Sequence, residues 1–177
     1  MNAWGRPEAH EFAPYYKIYI DRCVGDDVFA ALEVAERERS MVLRRITDEH
    51  AIFSYAPGKW RLIDVLQHML DCERVFAFRA LCYARGDSTP LPGFDENTYA
   101  ENASATTRPL GEVAEEMSIV RRSTVALFRG LSPQDASRIG SANGNPFSVR
   151  ALGWAIAGHD LHHMRVINER YLTHAHA

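Results

Sequence analysis

The chain has no cysteine framework. Cys23, Cys72 and Cys82 are its only cysteines, odd in number and without C-x-x-C spacing, which excludes a disulfide scaffold and suits a reducing compartment. No apolar run approaches the roughly 18 residues that a membrane-spanning helix needs, so no membrane role is expected. The start, Met-Asn-Ala-Trp-Gly-Arg-Pro-Glu, lacks the basic-then-apolar order of a secretion signal, and the cytoplasm is the expected location. A basic surplus is missing too: 20 Lys and Arg stand against 23 Asp and Glu, for a net charge of −3. With the cations scattered along the chain, the electrostatic footprint of a nucleic-acid binder is absent. There is no internal repeat, no low-complexity tract and no convincing strand alternation. Ser123 and Thr124 have no positioned base, so no hydrolase triad is assembled.

What remains is one helical domain spanning residues 1–177. A 177-residue chain that is 46% hydrophobic and 10% aromatic can bury a single sizeable core. Residues 1 to about 25, with Pro7, Pro14, Phe12, Tyr15, Tyr16 and Tyr19, predict a short helical turn packed across the body. Asp26 and Asp27 offer an N-cap for a helix to about His50, its stripe carried by Val28, Leu32, Ala35, Val42 and Ile46 and interrupted by Arg39. Arg39 either snorkels to solvent or pairs with a carboxylate. After the Tyr55-Ala-Pro-Gly-Lys-Trp60 turn, a second helix is predicted over about Arg61 to Arg85. A long connection, Gly86 to Arg108, either crosses a bundle end or covers a site. Pro109 fits the first turn of a third helix over about Leu110 to Phe128, with Gly130 as its stop. After a loop from Ser132 to Pro146, Ser148 caps a fourth helix reaching about Thr173. Four such helices with long connections give an all-α four-helix bundle with crossover topology.

Chemistry concentrates in the last helix. At about 100° per residue, Leu152, Ile156, His159, His163 and Val166 share one face, so two imidazoles point where the aliphatic residues pack. A buried polar group without a partner costs about 1–3 kcal/mol, and one shared divalent ion would satisfy several imidazoles together. His68 is the histidine in the body of another helix that could supply a third ligand. Three neutral imidazoles with an open position make a catalytic rather than a closed structural site, and zinc, nickel, iron(II) or manganese would suit it. The alternative is two core histidines bonded to carbonyls or carboxylates. His162, about 100° round from His163, is read as an outer donor or packing residue. His10, His50, His174 and His176 are expected to be solvated. Cys72, one turn after His68, is either a ligand or a small hydrophobe. Asp64 either orients His68 or is solvated, and Asp71 and Glu73 read as exposed charges. Trp60 and Trp154 read as core anchors.

The segments Tyr55–Trp60, Gln67-His68-Met69-Leu70-Asp71-Cys72-Glu73-Arg74, Ala84-Arg85-Gly86-Asp87, Leu91-Pro92-Gly93-Phe94-Asp95-Glu96 and Ala157-Gly158-His159-Asp160-Leu161-His162-His163 together resemble the DinB-like (DinB/YfiT) superfamily of metalloenzymes, in particular bacterial DinB_2 domains. The resemblance implies a four-helix bundle with a long crossover and a metal held by three histidines, here His68, His159 and His163. It further implies a thiol-dependent S-transferase that uses a low-molecular-weight bacterial thiol, such as bacillithiol or mycothiol, and an electrophilic second substrate. A metal-dependent hydrolase and a non-catalytic metal- or ligand-binding stress protein are the alternatives. A homodimer is expected, with the aromatic N-terminal segment against a second copy.

Overall fold

In the computed structural model, which describes residues 4–173, the N-terminal segment winds through two short 3-10 turns, Ala9–Glu11 and Pro14–Tyr16, into helix α1, Lys17–Ile20. It then continues through α2 (Val28–Leu43), α3 (Asp48–Ile52), α4 (Leu62–Ala84), α5 (Glu96–Asn102), α6 (Leu110–Arg129), α7 (Pro133–Ala136), strands β1 (Ile139–Ala142) and β2 (Asn145–Ser148), and α8 (Val149–Val166). The bundle consists of α2, α4, α6 and α8: α8 packs on α2 and α4, and α6 on α4 and α2.

The four long helices stand where the sequence places them, with differences at their ends. Asp27 caps α2 by accepting from the Phe29 amide at 2.9 Å, and Ser148 caps α8 from the Ala151 amide at 3.0 Å. The predicted run to His50 breaks after Leu43. Thr47 and His50 form a reciprocal cap that starts α3 afresh, a local hydrogen-bonding alternative that competes with helix continuation. His50 is therefore a capping residue and not simply solvated. Pro109 is the residue before α6 rather than its first. A turn of π-helix, Ile167–Tyr171, closes the last helix before Thr173.

Both long connections hold more order than expected. The first contains α5, and its Leu91 bonds to Ser141 and Asn143 of the second. The second contains a two-stranded antiparallel hairpin, against the reading that no strand exists. Its turn residues Asn143 and Gly144 both have positive φ, 52° and 72°, the conformation that an Asn-Gly hairpin favours. The hairpin carries Phe12 on one edge and Leu91 on the other.

The core lies in two apolar blocks. One gathers Leu32, Phe76, Ala80, Phe128, Leu152, Trp154 and Ile156 with Trp4 and Phe12, and the other gathers Val42, Leu62, Leu66, Leu70, Val113, Met117, Met164, Ile167 and Tyr171. Between them, every bundle helix turns polar at mid-height: Glu36 and Arg39 on α2, Glu73 on α4, Arg121 on α6 and Asp160 on α8. Arg121 makes a two-pronged contact with Glu73 (2.8 and 2.9 Å) and reaches Asp160 at 2.8 Å. Arg39 reaches Asp160 at 3.0 Å, the Met117 carbonyl at 3.3 Å, and Glu36. Arg39 thus pairs with carboxylates rather than snorkelling, and Glu73, 5% exposed, is no surface charge.

The N-terminal segment closes over α8 because Gly158 lets it: a Cβ there would sit 2.0 Å from the Tyr19 carbonyl oxygen. Tyr19 and Ile20 are buried against the chain's own body, whereas Tyr15 and Ile18 of the same segment are exposed. Among the described residues, no helix is long and apolar enough to cross a membrane.

Candidate metal centre

Spacing of four on α8 brings His159 and His163 onto one face, and α4 packs against that face with His68. The Nε2 atoms of His68 and His163 each lie 3.1 Å from Nε2 of His159. An imidazole ring nitrogen carries either one proton or one lone pair, so His159 Nε2 can serve one good hydrogen bond and not two. A shared cation resolves this, since donors about 2.1 Å from a common ion stand roughly 3 Å apart. The donor set therefore fits a divalent metal.

Cys72 stands closer to this point than a small hydrophobe needs to. Its Sγ lies 3.6 and 3.7 Å from the two ring nitrogens of His68, and His68, Cys72 and His159 offer donor atoms all within 4.8 Å of one another. His163 joins through its contact with His159. Two candidates, His163 and Cys72, thus exist for the third position beside His68 and His159.

Burial sets the charge state. It pulls His68 down to about 4. His159 is lowered well below the usual histidine range by burial and then by His163, His68 and His162, and His163 by burial and then by His68 and His162. All three are neutral at pH 7, the form that binds metal. Burial pushes the Cys72 thiol up, with Glu96 and Asp71 adding to the rise and Arg79 opposing it, so this ligand must first lose a tightly held proton.

These depressions have a sign. The unfolded chain takes up protons below about 6.5, whereas the folded site stays neutral until lower pH, so unfolding is favoured as pH falls. Stability of the metal-free protein should be full above pH 6.5 and drop between 6.5 and about 4, the window set by His68. Each histidine steepens that slope by about 1.4 kcal/mol per pH unit. Denaturation midpoints measured in chelator at pH 7, 6 and 5 check this, and a flat profile would contradict it.

The donors form the floor of a cavity of about 490 Å³ walled by Tyr15, Tyr16, Tyr19, Trp60, Phe76 and Phe147, with Gly93, Phe94 and Glu96 from the long crossover and Asn143 and Asn145 from the hairpin. The crossover thus does cover a site. Tyr19 meets His159 and His162 edge-on at 5.2 and 5.3 Å, and Trp60 stands 5.0 Å from His68. Trp60 is a wall of the cavity, whereas Trp154 is the core anchor, fully buried with its indole N–H on the Gly5 carbonyl at 3.0 Å.

The remaining candidates resolve differently. Asp64 neither orients His68 nor is solvated; it is 7% exposed and bonds back to Arg61 at the start of α4. Asp71 is half-buried against Gln67. His162 keeps its ring against Tyr19 and His163, with a buried Nδ1 that finds no partner. His10 is exposed beside Glu8, and His174 and His176 lie outside the described residues. Sequence reasoning missed Arg79 and Glu96 as cavity residues. For Glu96 the signal available was the Leu91-Pro92-Gly93-Phe94-Asp95-Glu96 block of the crossover, and for Arg79 its place on the α4 face that carries His68 and Cys72.

A model of the DinB superfamily matches residues 31–167. Among solved structures, YfiT from Bacillus subtilis, described as a probable metal-dependent hydrolase with an unusual four-helix bundle topology, superposes with a TM-score of 0.69 at 17% identity, over 92% of this chain and 89% of that one. No curated protein matches the chain by sequence.

Proposed function

The chain belongs to the DinB superfamily, and from that premise we propose that it is a metal-dependent enzyme in which His68, His159 and His163 hold one divalent ion and a small thiol is transferred to an electrophilic carbon. The observation that carries this is the meeting of three imidazole Nε2 atoms at the floor of an aromatic cavity. When bound, a divalent ion supplies the Lewis acidity that lets a thiol or a water give up its proton near neutral pH. The chain's own residues supply the rest. Burial keeps the imidazoles unprotonated, the aromatic walls bound the space above them, and Glu96, the carboxylate lining the cavity, takes the proton that the nucleophile releases. The thiol sulfur then bonds to the acceptor carbon as the leaving group departs. A homodimer belongs to the same reading and is checked by light scattering.

His68→Ala should lose metal and thiol-conjugating turnover together, checked by elemental analysis and by assays over a panel of thiols and electrophiles. Unchanged metal content and unchanged turnover would overturn the proposal. A second reading, hydrolysis, is favoured by Glu96 in the cavity and by what is said of YfiT. Thiol-independent, metal-dependent cleavage abolished by Glu96→Gln would support it. A large loss of melting temperature on chelation, with no turnover found, would instead favour a non-catalytic metal-binding protein.

A further inference from the structure

Arg79 on α4 lines the same cavity and is only 4% exposed. Its Nη2 donates to the Pro92 carbonyl at 2.9 Å, and its guanidinium carbon sits 5.7 Å from the Phe94 ring centre and 6.0 Å from that of Phe76. No described carboxylate comes within 4.0 Å of it. The other two arginines buried to this degree, Arg39 and Arg121, each sit among carboxylates. Glu96, on the same cavity, does not pair with Arg79. A desolvated cation without a counter-charge is costly. Among the described residues, none of its N–H groups is a sealed atom without a partner, and its polar neighbour on the cavity is the phenol of Tyr16.

We propose that Arg79 is the anion-binding residue of this cavity, and that the substrate carries a carboxylate which pairs with it while another part of the molecule meets the histidines. This takes the cavity to be the substrate site, as proposed above. A guanidinium bounded by Phe76 and Phe94, with one donor on Pro92, keeps further donors in a planar fork, which a carboxylate matches with two parallel hydrogen bonds. The carboxylate could belong to the thiol or to its acceptor.

The test uses the full-length protein stripped of metal, so that no anion can bind an ion instead. Two acid–amide pairs are titrated, with binding followed in parent and variants alike by NMR of the indole N–H of Trp60, which lines the cavity: phenylacetate against phenylacetamide, as acceptor-like probes, and 3-mercaptopropionate against 3-mercaptopropionamide, as thiol-like probes. The acid of one pair should bind about tenfold or more tightly than its amide, as a charge-assisted contact predicts, and that pair names the substrate bearing the carboxylate. Arg79→Met should erase the preference. Arg79→Lys, which keeps the charge and loses the fork, should retain part of it, and the melting temperature of both variants shows that they are folded. Equal affinities for acid and amide in both pairs, or a preference that survives Arg79→Met, would overturn the assignment. A protein that prefers the acid but takes up no metal would keep this assignment and refute the metal-enzyme reading. One that binds metal without any acid preference would do the reverse.

Discussion

His159→Ala should lower divalent-metal affinity by more than about a hundredfold. Loss of a group that merely orients a ligand already costs about 10–100-fold, and His159, which with His68 belongs to both possible donor sets, stands between the other two imidazoles, 3.1 Å from His68 on one side and from His163 on the other. The companion variants then separate the sets. His163 offers a lone pair that burial has already freed of its proton, whereas Cys72 must give up a proton that burial holds tightly. His163→Ala should therefore cost nearly as much as His68→Ala, and Cys72→Ser less than about tenfold, the weakest loss expected even of an orienting group. Competition against a metallochromic chelator measures all four variants on one scale. If His159→Ala binds metal as the parent does, the site is not where the imidazoles meet. If Cys72→Ser proves as damaging as His68→Ala, the thiol replaces His163 as third ligand.

Asp160→Ala should destabilise the protein by about 3–5 kcal/mol, because it removes the carboxylate that both Arg39 and Arg121 reach and leaves buried cations undercompensated. Against a total stability of about 5–15 kcal/mol, that loss is a large share. Urea denaturation of parent and variant gives the difference directly. Replacing the exposed Glu33, whose ion pair with Arg37 lies on the surface, should cost less than about 1 kcal/mol and serves as the control. A change under about 1 kcal/mol for Asp160→Ala would mean that water reaches the cluster and screens it.

The helices and the histidines were legible in the sequence because each is a local pattern. Turn-spaced apolar residues gave the four bundle helices, and a spacing of four placed His159 and His163 together on α8. Less could be read where meaning depends on a partner far along the chain. Arg39 and Glu73 look alike in sequence to exposed charges, and only the arrival of Arg121 and Asp160 from other helices makes them interior residues. The hairpin was missed for a different reason: four-residue strands are too short to show alternation, and Pro146 inside β2 reads as a breaker. Its Asn143-Gly144 turn was the clue that could have been followed. Glu96 was invisible as a site residue because the fold of the crossover, not any motif, brings it to the cavity, whereas Arg79, two turns after Cys72 on the same helix, shares the face that carries His68 and Cys72.

The mid-height cluster also has a bearing on assembly. Glu73 directly follows Cys72, and Asp160 directly follows His159, so on each helix the charge and the donor point about 100° apart. Clamping the charge against Arg121 fixes how far that helix is turned about its own axis, as a key fixes a wheel on its shaft. A bundle that collapsed with α4 or α8 rotated by one residue would drive a carboxylate into an aliphatic wall and swing the imidazole away from its mates. The ion pairs therefore act as a proofreading device. Only the correctly indexed bundle is spared the penalty, and that same bundle is the one whose nitrogens converge.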